Sequence, residues 1–145
     1  PAPLAAFQCK TPNAVHLASL RDVSTAYGWQ SVTIVKAALD KRVAFLSRAV
    51  APDATFGVIR GDVGFGPRSK GPQAAVDFAK QFAPRSYRFG LASGPVSMNP
   101  CGNYRVELTI QGQRRSEMIV AQFSYDDGVL AEVSGAQVDL IGAAF

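Results

Sequence analysis

The chain has 145 residues, of which 48% are hydrophobic and 18% charged, with a formal net charge of +4. That length and balance give a chain able to bury a core in a single domain, residues 1–145, and exclude a disordered or fibrous class. The basic residues are scattered, with only Lys41-Arg42 and Arg114-Arg115 adjacent, which argues against a nucleic-acid partner; no stretch approaches the ~20 apolar residues of a membrane span.

Residues 1–12 carry Pro1, Pro3 and Pro12 without periodicity and read as an extended arm. A first residue that is not Met fits a mature end left by signal cleavage, or an arbitrary boundary. Cys9 and Cys101 match no zinc or redox spacing. Two readings stand: two buried thiols, or one disulfide in an exported protein. A loose arm gains from a tether, so the expectation is a Cys9–Cys101 bond in a periplasmic or secreted protein, with a cytoplasmic location as the alternative.

Asn13 is placed to cap a helical stretch in which Val15, Leu20, Val23 and Tyr27 recur near helical spacing, and Gly28 interrupts it. Ser31 caps the next stretch, whose stripe runs through Val32, Val35 and Leu39 and on through Val43, Leu46 and Val50. Asp40 caps a second, shorter helix that ends before Pro52, which cannot continue it. Trp29, between helical stretches, is expected to anchor the core. A strand over 54–60 follows.

The segment G-D-V-G-F-G-P-R-S-K-G over 61–71 is glycine-rich. A phosphate cradle needs a helix directly after such a loop, so that backbone N–H groups point at the anion. Pro67 and further loop residues intervene, and a surface loop is the reading. Pro72 suits the first turn of a helix running to about Phe82. Ala75, Phe78, Ala79 and Phe82 form its apolar face, and Pro84 ends it. A strand over 86–94 and a connection over 95–102 lead to the most legible part of the chain.

From Tyr104 to Leu140 the pattern is three long antiparallel strands with turns at Gly112 and Asp127-Gly128. Tyr104, Val106, Leu108 and Ile110 alternate with Arg105, Glu107 and Thr109, which is a sheet with one buried face. The earlier helices are its cover. The fold class is α+β.

The phrase A-V-A-P-D-A-T-F closing a helix, the helix after a loop, and F-S-Y-D-D-G-V-L-A-E-V in a terminal sheet resemble the nuclear transport factor 2-like superfamily, over roughly Ser31 to Asp139. That resemblance implies a cystatin-like cone: a curved antiparallel sheet wrapped around N-terminal helices, enclosing a pocket. Ketosteroid isomerases and polyketide cyclases are relatives. The isomerase branch uses a carboxylate base, an acid kept neutral by an apolar site, and a tyrosine. By position the base falls near Gly57-Val58 and the acid at Ala121, neither of which is acidic. Tyr27 lies too far from the matched segment to be assigned as the tyrosine. Asp62 is the one nearby carboxylate able to replace the base.

If Ala121 faces the pocket, strand parity adds Ile119, Phe123 and Tyr125 beside it, with Glu117 near the strand end. The last strand adds Ala131, Val133, Gly135 and Gln137. Phe78 and Phe82 come from the cover, and Tyr104, Tyr125 and Gln137 are the polar groups. Such a lining suits a small hydrophobic ligand bound without catalysis, or an interaction module. The alternative is an isomerase-, cyclase- or dehydratase-like enzyme with Asp62 as base. Met118, Val120 and Leu130 fall on the outer face among Gln122, Ser124, Glu132 and Arg105, and suggest a homodimer through that face. His16 has no partner for a metal site, the serines sit in no nucleophile-elbow pattern, and no cofactor is implied.

Overall fold

A computed structural model describes residues 20–60, 63–81, 88–91, 103–111 and 118–138. In chain order the elements are α1 (Leu20–Leu39), α2 (Val43–Ala49), β1 (Val50–Arg60), β2 (Val63–Phe65), α3 (Pro72–Gln81), β3 (Arg88–Leu91), β4 (Asn103–Gln111), β5 (Met118–Asp126) and β6 (Val129–Val138). The strands form one sheet in the order β2-β1-β6-β5-β4-β3. β1 runs parallel to β6 and every other neighbouring pair is antiparallel. α1 and α3 touch each other and pack on one face of the sheet, over β4 and β1 respectively.

The first helical region differs from the pattern in three ways. α1 is one helix that passes through Gly28, with no break there. A glycine inside a helix costs about 1 kcal/mol against alanine, but burial of Tyr27, Val32, Ile34 and Val35 along the same helix outweighs it at roughly 1.5–3 kcal/mol for each large apolar side chain. Ser31 is not a cap: its hydroxyl donates back to the Tyr27 carbonyl at 2.9 Å, a bond that helix interiors tolerate. Tyr27 and Ser31, four residues apart, share the face that meets the sheet. Trp29, two residues from each, points the other way and is 59% exposed. It does not anchor the core.

α1 stops in a Schellman motif. Arg42 N–H donates to the Ala37 carbonyl at 2.9 Å and Lys41 N–H to that of Ala38 at 3.2 Å, with Lys41 in the left-handed region at φ 55°. This consumes the turn that Asp40 was expected to cap. Arg42 takes the N-cap position of α2, without a side-chain bond. From Val50 the chain turns extended, and β1 begins there, four residues earlier than expected, with Pro52 inside it. Pro52 is tolerated because the ladder to β6 is irregular between Val50 and Thr55, where no backbone donor is demanded of it.

The glycine-rich segment holds a short strand. β2 pairs with β1 through Val58–Phe65, Ile59–Gly64 and Arg60–Val63. The chain then follows the edge of β1 to Gly71, whose N–H donates to the Ala54 carbonyl at 2.8 Å. Gly71 sits at φ +70°, and a Cβ there would lie 2.6 Å from the Pro52 carbonyl oxygen. Residues 63–71 therefore form a cover for the sheet edge, held at Gly71.

The terminal strands follow the alternation closely until one residue. Asp127 and Gly128 both have positive φ, 52° and 81°, as a tight right-twisting hairpin requires. Tyr125 pairs with Leu130, but Ser124 pairs with Glu132. Ala131 is the extra residue of a β-bulge. Parity reverses across it, so Leu130 lies inside and fully buried rather than on the outer face, and Ala131 opens to the outer face beside Arg105 and Glu132. Val133, Gly135 and Gln137, beyond the bulge, lie opposite Phe123, Ala121 and Ile119 as expected. Among the described residues no helix is long and apolar enough to cross a membrane.

Gly71→Ala is expected to destabilise the fold by about 1–3 kcal/mol, through the left-handed backbone and the Pro52 contact. Gly57→Ala, where a Cβ meets nothing within 4 Å, is the control and should be neutral or mildly stabilising. Urea titrations of both variants check this.

Candidate functional site

The inner face of the sheet has two distinct regions. At the β5–β6 hairpin end, Tyr104 and Tyr125 stand opposite each other on β4 and β5, and Tyr27 of α1 lies against both. Its ring centroid is 4.8 Å from that of Tyr104, stacked, and 4.6 Å from that of Tyr125, tilted by 39°. Ser31 Oγ is 2.7 Å from the Tyr125 hydroxyl. Because Ser31 spends its one proton on the Tyr27 carbonyl, Tyr125 is the donor to Ser31. The residue before it, Gln30, donates through Nε2 to the Gly128 carbonyl at 3.1 Å and ties α1 to the hairpin. Gln30 and Ser31 are both fully buried.

The Tyr27 and Tyr125 phenols are held neutral. Burial pushes the Tyr27 hydroxyl far above its ordinary range, with Tyr104 and the Asp127 carboxylate adding to the effect. Burial does the same for Tyr125, partly opposed by its bond to Ser31. At physiological pH they offer hydrogen bonds and apolar rings, not a base.

Farther from the hairpin the inner wall is apolar. A row of directly paired residues, Val58–Gly135–Ala121–Leu108, crosses four strands. Its centre carries almost no side-chain bulk. A Cβ on Gly135 would lie 2.9 Å from the Ala121 Cβ and 2.9 Å from the Val120 carbonyl oxygen, so glycine is needed where β5 and β6 come this close. Phe78 of α3 lies against Phe56 of β1, at 5.2 Å between centroids. Ile119 and the half-buried Gln137 form the next pair toward the far end.

The structure thus brings Phe78, Tyr104, Ile119, Ala121, Phe123, Tyr125 and Val133 together on the inner face, each no more than 1% exposed. The position matched to the base resolves into an exposed Gly57 and an inward Val58. Asp62, Phe82, Cys9, Cys101 and His16 lie outside the described residues. Among the described residues no charged side chain is buried and no three His, Cys, Asp or Glu gather as a metal site. Tyr27, Gln30 and Ser31 are the interior polar groups that the sequence did not assign. Their spacing of three and four was the available signal, hidden by reading Gly28 as a break.

A six-stranded sheet of this order, covered by a long N-terminal helix and a helix after the second strand, is an α+β arrangement. It is the kind of fold that the resemblance to nuclear transport factor 2-like proteins implies. No family model and no curated protein matches the chain. Solved structures similar to it include a protein from Agrobacterium tumefaciens named as an isomerase of the SnoaL-like family, with a TM-score of 0.44 and 21% identity over 74% of this chain and 96% of that one. A Sinorhizobium meliloti protein named as a polyketide cyclase gives a TM-score of 0.42 and 17% identity over 72% and 91%. A de novo designed NTF2-fold protein gives 0.47 and 14% over 88% and 92%. At these values no activity, ligand or partner passes from them to this chain.

Two measurements test the hairpin end of the cone. The folded-state pKa values of Tyr27 and Tyr125 are raised above the unfolded ~10. The folded chain therefore holds protons that the unfolded chain releases, and their contribution is complete below pH ~10 and lost as pH rises above it. Unfolding free energy should fall above pH ~10 by about 1.4 kcal/mol per pH unit for each of the two tyrosines, and Tyr27→Phe should make the fall shallower. Separately, Ser31→Ala leaves the buried Tyr125 hydroxyl without its acceptor and should cost about 1–3 kcal/mol. Adding Tyr125→Phe should then cost less than it does alone, as a double-mutant cycle by chemical denaturation will read out.

Proposed function

We propose that the protein is a binding protein for a small, largely apolar molecule, held without catalysis on the inner wall of the cone beyond the tyrosine cluster. The observation that carries this reading is the Val58–Gly135–Ala121–Leu108 row. Gly135 and Ala121 give the middle of the inner face its least side-chain bulk, which is where an apolar body would rest against backbone and methyl groups. The interior hydroxyls of Ser31 and Tyr125 are already bonded to one another at the opposite end, where they close the cone and take no part in binding. A reaction of the isomerase, cyclase or dehydratase type would have to be carried by Asp62, and loss of turnover in Asp62→Asn is its test.

Titration with the neutral fluorophore N-phenyl-1-naphthylamine should give saturable, one-to-one binding, with NMR shifts at the Ile119, Ala121 and Gly135 amides. Ala121→Leu fills the wall and should weaken binding by about tenfold or more, with the melting temperature measured alongside. Val58→Phe fills it from the neighbouring strand should Ala121→Leu fail to fold. Absence of saturable binding, or binding untouched by either variant, overturns the proposal.

A further inference from the structure

The same strand that lines the cone with Val58 turns the next residues on either side, Gly57 and Ile59, to the outer face. There they border an open groove of about 620 Å³, formed by β1, β2, Ser134 of β6 and the segment from Gly66 to Arg68. Its floor has no side chains above the backbone at two points: a Cβ on Gly57 or on Gly64 would meet nothing within 4 Å. Ile59, directly paired with Gly64, is 53% exposed beside that floor. Ser134, paired with Gly57, adds a hydroxyl.

The remaining wall carries a cation. Arg68 is exposed, and the chain on either side of it is fixed. Gly66 passes so close to β1 that a Cβ on it would lie 2.8 Å from the Phe56 carbonyl oxygen. Ser69 Oγ donates to Asp77 Oδ2 at 2.6 Å, and Gln73 Nε2 donates to Oδ1 of the same carboxylate at 2.8 Å. Those two bonds hold the Asp77 carboxyl below its ordinary range and keep its charge committed to the loop. Arg68 is therefore presented at the groove from a braced segment rather than from a free tail.

We propose that this groove is a second binding site, distinct from the cone interior, and that it takes a small planar aromatic carboxylate. Bare peptide planes at Gly57 and Gly64 accept the face of a ring, and Ile59 covers its apolar edge. The Arg68 guanidinium receives the carboxylate in the two-pronged geometry that favours arginine at such anions.

The test uses 2-naphthoate and its neutral analogue 2-naphthalenemethanol, titrated into the whole chain and followed by two-dimensional amide NMR. Saturable shifts at Gly57, Gly64 and Ser134 are expected with naphthoate. Arg68→Gln should weaken naphthoate by about tenfold or more, the range of a lost charged hydrogen bond, and leave the alcohol unchanged. Gly57→Val should abolish both at an unchanged melting temperature, because it adds a strand-favouring side chain in open space; Gly64→Val does the same from β2 should that variant fail to fold. No shifts at millimolar naphthoate, shifts at Ile119 and Ala121 in their place, or equal affinity in Arg68→Gln would overturn the proposal. So would shifts at the same three amides that grow with protein concentration alone, which would make the groove a contact between copies of the chain. The neutral fluorophore of the interior site reports on other amides and other variants, so either proposal can fail while the other stands.

Discussion

The docking of one helix face onto two tyrosines governs the rest of the structure. Tyr27, Gln30 and Ser31 are spaced so that ring, carboxamide and hydroxyl all point from α1 toward the hairpin end of the sheet. The rings of Tyr104 and Tyr125 give Tyr27 a large apolar surface, and the Ser31–Tyr125 bond at 2.7 Å fixes its rotation about the helix axis. A glycine next to Tyr27 would weaken an isolated helix. Here it is carried by contacts on both sides of it. The orientation of α1 then sets which residues reach the inner wall, and it leaves Trp29 in solvent.

Placing the polar interior groups at one end has a further effect. Buried hydroxyls and amides are costly unless paired, and grouping them where Ser31 meets Tyr125 and Gln30 Nε2 meets the Gly128 carbonyl spares the rest of the inner face from that demand. Val58, Ala121, Leu108 and Val133 can then form an apolar wall, with Gln137 half-buried farther along. The outer face is built on the opposite rule. Ser134, Gln122, Ser124 and Glu132 face water there, and the glycines of β1 and β2 leave backbone within reach of solvent.

The sequence was most readable where a single period runs without interruption. β4 and β5 alternate over their whole length, and the inward set from Tyr104 to Ile110 and from Ile119 to Tyr125 follows directly. Parity failed at Ala131, because a bulge adds a residue without leaving a mark in composition, and Leu130 moved from the outer face to the core. Local signals misled where tertiary contacts outweigh propensity: Gly28 did not stop α1, Asp40 lost its cap to a left-handed Lys41, and Pro52 entered a strand at an irregular stretch of ladder. Of the candidate site, the strand residues were legible. The α1 residues were not, since their face could be traced only across the presumed break. The two-glycine floor on the outer side was hidden by reading 61–71 as a loop, when Val63, Gly64 and Phe65 pair with β1.

The parallel pairing of β1 with β6 sets the order in which the molecule can be assembled. Hairpin contacts between β4, β5 and β6 close short loops and can form as soon as those segments exist. Val58 must wait for Gly135, with most of the chain between them, so the loop-closure cost of that ladder falls late. Until β6 arrives, β1 has only β2 beside it, and its other edge is open. On the ribosome this means that the N-terminal helices and first strands emerge without the central seam of their sheet. The strand that borders both proposed binding sites is therefore among the last to be secured, and an aggregation-prone interval is built into the topology.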